Sequence, residues 1–261
     1  MTLPLTPSRH KRLLTLASVA AIAACSLGQS QDLVWRDGRL KARPRTVTGT
    51  PVSGFVQLRL GRERDGLLFV PRAAARGPVP LVVMLHGAGG SAQGIRRRLF
   101  GASDSLDFAL LIPDSRGPTW DAIRGMYGPD IAFLDSALRI VFSRVSIDPS
   151  RVIVSGFSDG ASYALAIGRM NGDLFTRIVA FSPGFIPPST AAGKPEVYIT
   201  HGNNDPILPF EDTSERIAPM LSRAGYEVTL KTFVGGHTVP PDLMQEAFAW
   251  ALASRAAQKP K

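Results

Sequence analysis

The stretch Val152-Ile153-Val154-Ser155-Gly156-Phe157-Ser158-Asp159-Gly160-Ala161-Ser162 constrains the fold of this chain more than any other. Its β-branched residues read as a short strand, Gly156-Phe157-Ser158-Asp159-Gly160 as a sharp turn, and the small residues after it as the start of a helix. A serine at the apex of a strand-to-helix turn sits in strained backbone. Only hydrogen side chains at Gly156 and Gly160 let neighbouring chain approach it. Ser158 would then stand exposed at the carboxyl edge of a sheet, placed as a nucleophile. The pattern is short enough to arise by chance in a chain with 25 glycines, so its meaning rests on what the other strand ends carry.

Continuous apolar runs at 81–85, 108–113, 178–181 and 197–200 suit a parallel sheet covered on both faces, and 228–233 adds a further strand. Residues 55–60 alternate and 67–70 end at Pro71, which predicts an antiparallel hairpin at a sheet edge. Apolar side chains recur at helical spacing over 129–145, and a last helix is expected over 242–254. Strand and helix alternate throughout. The expected fold class is therefore α/β, a mainly parallel twisted sheet flanked by helices, as one domain over 53–255 with a tail at 256–261. Too few residues separate Phe181 from Asp205 to hold a large lid.

Residues 1–24 have a basic start (Arg9, Lys11, Arg12), then an uncharged apolar run, then small residues. This is the order of a secretory signal, and the run is too short to span a bilayer. Ile22-Ala23-Ala24-Cys25 resembles the lipobox of bacterial lipoproteins, in which the leader is cut before a cysteine that becomes lipidated. The expectation is export to a bacterial cell envelope with Cys25 as lipid anchor to the membrane. A secreted soluble protein cut near Ala23 or Ala24 is the alternative. Residues 25–52, polar, basic and broken by Pro44, Gly49 and Pro51, read as a tether.

Cys25 is the single cysteine, so no intrachain disulfide can form. Removing the three basic residues of the leader lowers the formal charge from +9 to +6, and that charge is spread along the chain. Arg96-Arg97-Arg98 is the densest cluster and reads as a solvated helix face, so no nucleic-acid partner is expected. There is no Cys/His cluster and no pair of histidines at metal spacing, so neither a metal nor another cofactor is expected.

A serine hydroxyl is a poor nucleophile at neutral pH and needs a general base held by an acid. Of the four histidines, His10 lies in the leader, His86 abuts a glycine loop directly after a strand, and His201 directly follows another strand. His237, in a loop with Gly235 and Gly236 after the last strand, remains as the base. Asp205, in the loop that begins after the 197–200 strand, is the candidate acid. The order Ser158, Asp205, His237 is the Ser…Asp…His order of α/β hydrolases. The tetrahedral intermediate also needs hydrogen-bond donors, and the amide of Asp159, next to the nucleophile, is one candidate. Gly87-x-Gly89-x-x-Ala92 with Asp107 also fits a dinucleotide fingerprint, but that reading accounts for none of Ser158, Asp205 or His237.

Five stretches together resemble the small α/β-hydrolase esterases grouped as phospholipase/carboxylesterase and polyhydroxybutyrate-depolymerase-like proteins. They are Leu85-His86-Gly87-Ala88-Gly89-Gly90, Gly156-Phe157-Ser158-Asp159-Gly160, Phe181-Ser182-Pro183-Gly184, His201-Gly202-Asn203-Asn204-Asp205-Pro206 and Gly235-Gly236-His237. The resemblance spans about 54–252. It implies the α/β-hydrolase fold, the triad above, and Ala88 of the His-Gly loop as second oxyanion donor. Asp159 departs from the Gln or Ala of many relatives and reads as a cap on the helix it opens. The activity implied is a serine carboxylic-ester hydrolase acting through an acyl-enzyme on a small or medium acyl ester or an exposed polyester. Trp120, Phe185 and Ile207, in three loops, are the candidate substrate contacts. A serine peptidase of the same fold and a non-catalytic surface lipoprotein are the alternatives.

Overall fold

Eight strands join in one sheet in the order β1-β2-β4-β3-β5-β6-β7-β8 in a computed structural model, which describes residues 38–50, 52–61, 63–100 and 106–254. β1 (Gly54–Gln57) and β2 (Gly66–Val70) form the antiparallel hairpin, and β2 pairs antiparallel with β4 (Ala109–Pro113). From β4 onward every pairing is parallel, through β3 (Val79–Leu85), β5 (Ile147–Phe157), β6 (Arg177–Phe181), β7 (Glu196–Gly202) and β8 (Val228–Phe233). The expected mainly parallel α/β sheet is thus the observed one.

β1 stops at Gln57, short of the alternating run. Arg59 takes a φ of 60°, and the amides of Arg59 and Leu60 turn to the Asp65 carboxylate at 2.8 and 2.9 Å instead of to a strand.

The period-two alternation of each strand feeds two cores, one on each face. Leu81, Val83, Val152 and Val154 point into the larger, together with α2 (Pro129–Arg144) and α3 (Asp159–Met170). Val82, Met84, Ile153 and Val179 point into the smaller, under α1 (Ala92–Ile95) and α5 (Pro241–Leu252). α4 (Ser214–Arg223) covers the far end of the first face with Ile217 and Leu221. No helix lies between β6 and β7, so no lid is built there.

The expected tether gives way at residue 38. Leu40 and Ala42 are buried in the larger core, the Leu40 amide donates to Asn171 Oδ1 at 2.8 Å, and the Lys41 and Ala42 amides donate to Asp135 Oδ1 at 2.6 and 2.7 Å. Arg39 and Arg43 both reach the Asp173 carboxylate. Polar, basic composition had suggested a solvated linker, whereas the polar groups here satisfy backbone that packs on α2 and α3. The domain therefore begins before residue 53. The expected leader over 1–24 and the expected lipidation site Cys25 lie outside the described residues.

Candidate active site

Ser158 sits between the central strand β5 and α3, with φ 57° and ψ −122°, a backbone that few non-glycine residues adopt. The strain is held by its surroundings. The Ser158 amide donates to the Phe181 carbonyl at 2.9 Å, and the Ser158 carbonyl accepts the amides of Ala161 and Ser162. A Cβ at Gly156 would collide with the Gly160 carbonyl, and one at Gly160 with the carbonyls of Leu85 and His86. Both glycines are therefore required by close approach.

Asp205 and His237 stand at neighbouring strand ends, after β7 and β8. His237 Nε2 lies 2.9 Å from Ser158 Oγ, and His237 Nδ1 lies 2.6 Å from Asp205 Oδ2. The structure thus brings the three residues into one hydrogen-bonded line. Because Asp205 can only accept, Nδ1 carries the proton and Nε2 is free to take one from Ser158. Burial disfavours the Asp205 anion, but the Leu208 amide, His237 and the Ile207 amide outweigh it and hold the carboxyl below its ordinary value.

Two buried histidines that sequence reasoning set aside turn out to support this line. His201, fully buried, donates from Nε2 to the Leu208 carbonyl at 2.8 Å and lies 3.2 Å from Asp205 Oδ2, while its Nδ1 accepts from Ser214 Oγ at 2.7 Å. Burial lowers its pKa, so the ring stays neutral and its tautomer follows from those partners. His86 donates from Nδ1 to the Gly87 carbonyl at 2.7 Å and accepts the Ser115 amide on Nε2 at 3.0 Å. Its pKa is likewise lowered by burial. The Gly87 carbonyl also accepts the Gly90 amide, and Arg64 donates to the Gly90 carbonyl at 2.9 Å. The one sequence signal for both was a histidine ending a strand directly before a glycine.

The loop so held passes close to the nucleophile: a Cβ on Gly87 would lie 3.2 Å from that of Ser158. With the Gly87 carbonyl turned to the His86 ring, the trans peptide points the Ala88 N–H the opposite way. The Asp159 carboxylate does not cap its helix. It accepts the Thr119 hydroxyl at 2.6 Å, and no side chain caps the start of α3.

A cavity of about 420 Å³ opens beside the nucleophile, between the glycine loop and the His237 loop, with Ile95, Phe157 and Val239 among its apolar walls. Trp120 takes no part in it. That side chain is fully buried, stacked on Tyr163 at 5.2 Å, with its indole N–H on the His86 carbonyl at 2.8 Å. Loop aromatics look alike in sequence whether they face a groove or a core, and this one plugs the space under the glycine loop. Phe185 and Ile207 are exposed, and neither lines this cavity. The Ile207 amide instead donates to Asp205 Oδ1.

Comparison with known proteins agrees with this architecture. Residues 134–251 match the family described as Phospholipase/Carboxylesterase. A putative esterase NocK of Nocardia uniformis is 28% identical over 59% of this chain and 48% of its own length. A probable feruloyl esterase C of Aspergillus oryzae is 30% identical over 57% of each chain. The match thus spans only about half the length of these relatives. Among solved structures, esterase PE8 superposes with a TM-score of 0.57 at 25% identity over 72% of this chain and 98% of that one. S-formylglutathione hydrolase from Staphylococcus aureus superposes with 0.62 at 13% identity over 80% and 100%. The strand order, the strained serine after β5 and these likenesses establish the α/β-hydrolase fold for this chain.

Proposed function

We propose that this protein is a serine carboxylic-ester hydrolase, and the hydrogen-bonded line Ser158–His237–Asp205 beside a cavity of mixed polar and apolar lining is the observation that carries the reading. His237 Nε2 takes the Ser158 proton as Oγ attacks the ester carbonyl carbon. Asp205 orients the ring and stabilises the imidazolium that forms. The amides of Asp159 and Ala88 receive the negative charge on the former carbonyl oxygen. Collapse expels the alcohol, which takes the proton back from His237 and leaves an acyl group on Ser158. Water, activated by the same histidine, then releases the acid. The open, lidless edge favours a small or medium acyl ester or an exposed polyester.

The test is turnover of p-nitrophenyl butyrate together with labelling by a fluorophosphonate. The wild type is expected to do both, and Ser158→Ala neither, with kcat reduced by at least about 10⁴-fold. A wild-type protein that neither turns over the ester nor takes the label rules the reading out.

We also infer, from the leader alone, that the protein is exported and anchored through a lipid on Cys25. Cys25→Ala should move it from the membrane to the soluble fraction of an expressing bacterium, and unchanged fractionation refutes the anchor.

A further inference from the structure

The substrate cavity contains a cation that the esterase chemistry above does not use. Ser91, Gly94, Ile95 and Arg98 all line it, the spacing of one face of α1 as it continues into the wider turn Arg96–Phe100. The face thus presents, in order, a hydroxyl, an open backbone, an apolar side chain and a guanidinium. Among the described residues no Asp, Glu or Lys lines the cavity, and its two imidazoles are engaged, His86 with the Ser115 amide and the Gly87 carbonyl, His237 with Asp205 and Ser158. Arg98 is exposed and has no carboxylate partner among the described residues. The carboxylate nearest the nucleophile in sequence, Asp159, is tied to the Thr119 hydroxyl and lies outside the cavity wall.

We propose that Arg98 is a specificity-determining residue that receives an anionic group on the ester, so that the preferred substrate class is a short ester ending in a carboxylate. The proposal rests on the esterase reading. Ile95, Phe157 and Val239 contact the apolar linker between the scissile bond and the anion, while the guanidinium at the rim provides a two-pronged donor matched to a carboxylate. Arg96 and Arg97 precede it in the same turn, and Arg96 is held at 4.0 Å over the Phe55 ring, so Arg98 is the member of the triplet that faces the site. The anion can sit on the acid or on the alcohol half of the ester, and both halves share this chemistry.

Two substrate pairs separate these sources. Monoethyl glutarate against ethyl valerate puts the charge on the acyl half, and butyryloxyacetate against propyl butyrate puts it on the alcohol half. Hydrolysis is followed by titration of the released acid, and the readout is the ratio of kcat/KM, anionic over neutral, within each pair. In the wild type one ratio is expected above unity. It should fall about tenfold in Arg98→Ala, the scale of one charge-assisted hydrogen bond, fall less in Arg98→Lys, which keeps the charge but not the two-pronged donor, and invert in Arg98→Glu. Added salt should lower the wild-type ratio, since the guanidinium is open to solvent. Hydrolysis of the neutral esters with both ratios at or below unity, or ratios unchanged across the variants, overturns the assignment and leaves the esterase reading standing. A wild-type protein that hydrolyses none of the four, and takes no fluorophosphonate label, overturns both.

Discussion

Trp120 and His201 show how a side chain can serve a site without lining it. The Trp120 indole N–H holds the His86 carbonyl, and His86 in turn holds the glycine loop. Trp120→Phe keeps the packing but leaves that carbonyl unsatisfied, at a cost of about 1–2 kcal/mol. Urea denaturation should show this loss while KM for a neutral ester stays within about twofold, whereas a large KM change would return Trp120 to the substrate wall. His201 positions Asp205 by donating toward the oxygen that also holds His237. In His201→Leu that carboxylate loses a donor and binds the His237 imidazolium more strongly. The acid limb of the kcat/KM profile should therefore move to higher pH, and kcat should drop about tenfold. Stability loss with an unmoved pH profile would reduce His201 to a packing residue.

At the scale of elements, the start of α2 carries a charge that the fold burdens. Asp130 is buried beside Asp121. Its two oxygens accept the amides of Arg116 and Asp121, yet burial and the neighbouring carboxylate push its pKa up from 3.8 to about 6. A folded value above the unfolded one means the protonated form favours folding. Its contribution is full below about pH 3.8 and is lost as pH rises through 6, about 3 kcal/mol in all. Asp205, Asp148 and Asp173 are shifted downward, so what they contribute is lost only below their ordinary value, outside that window. His86 and His201, whose pKa burial lowers, gain stability as pH rises toward 6.5 and so oppose Asp130 in this window, which makes the comparison with Asp130→Asn the test. The stability of wild type relative to Asp130→Asn should fall from pH 4 to 6, and a difference that does not change with pH would contradict the buried-carboxylate account. Here too Arg177 ties two elements together. It pairs with Glu196 at 2.9 Å and donates to the Ala251 carbonyl at 2.8 Å, which seats the end of α5 on β6.

For the molecule as a whole, the packed segment from Gly38 to Ala42 closes the larger core from outside the sheet. Leu40 is almost fully buried, and its deletion to Ala should cost about 2–4 kcal/mol, read as a lowered melting temperature with the fluorophosphonate label on Ser158 still formed. A melting temperature within a degree of the wild type would make this segment a loosely attached tether after all.

The sheet, its parallel sense and the elbow were legible because they rest on local physics. β-branched runs make strands, apolar faces at helical spacing make helices, and the close approaches at Gly156 and Gly160 admit no side chain. By itself the sequence determined the strand ends from which Ser158, Asp205 and His237 project, since each follows directly from where a strand stops. Only the tertiary structure decided what surrounds them. Whether Trp120 faces a substrate or a core, whether Asp159 caps its helix or meets Thr119, whether residues 38–42 drift or pack, and which arginine of the triplet faces the cavity all depend on partners distant in the chain. Such contacts are set by how the sheet twists and stacks its helices, and a burial pattern or motif carries no record of them.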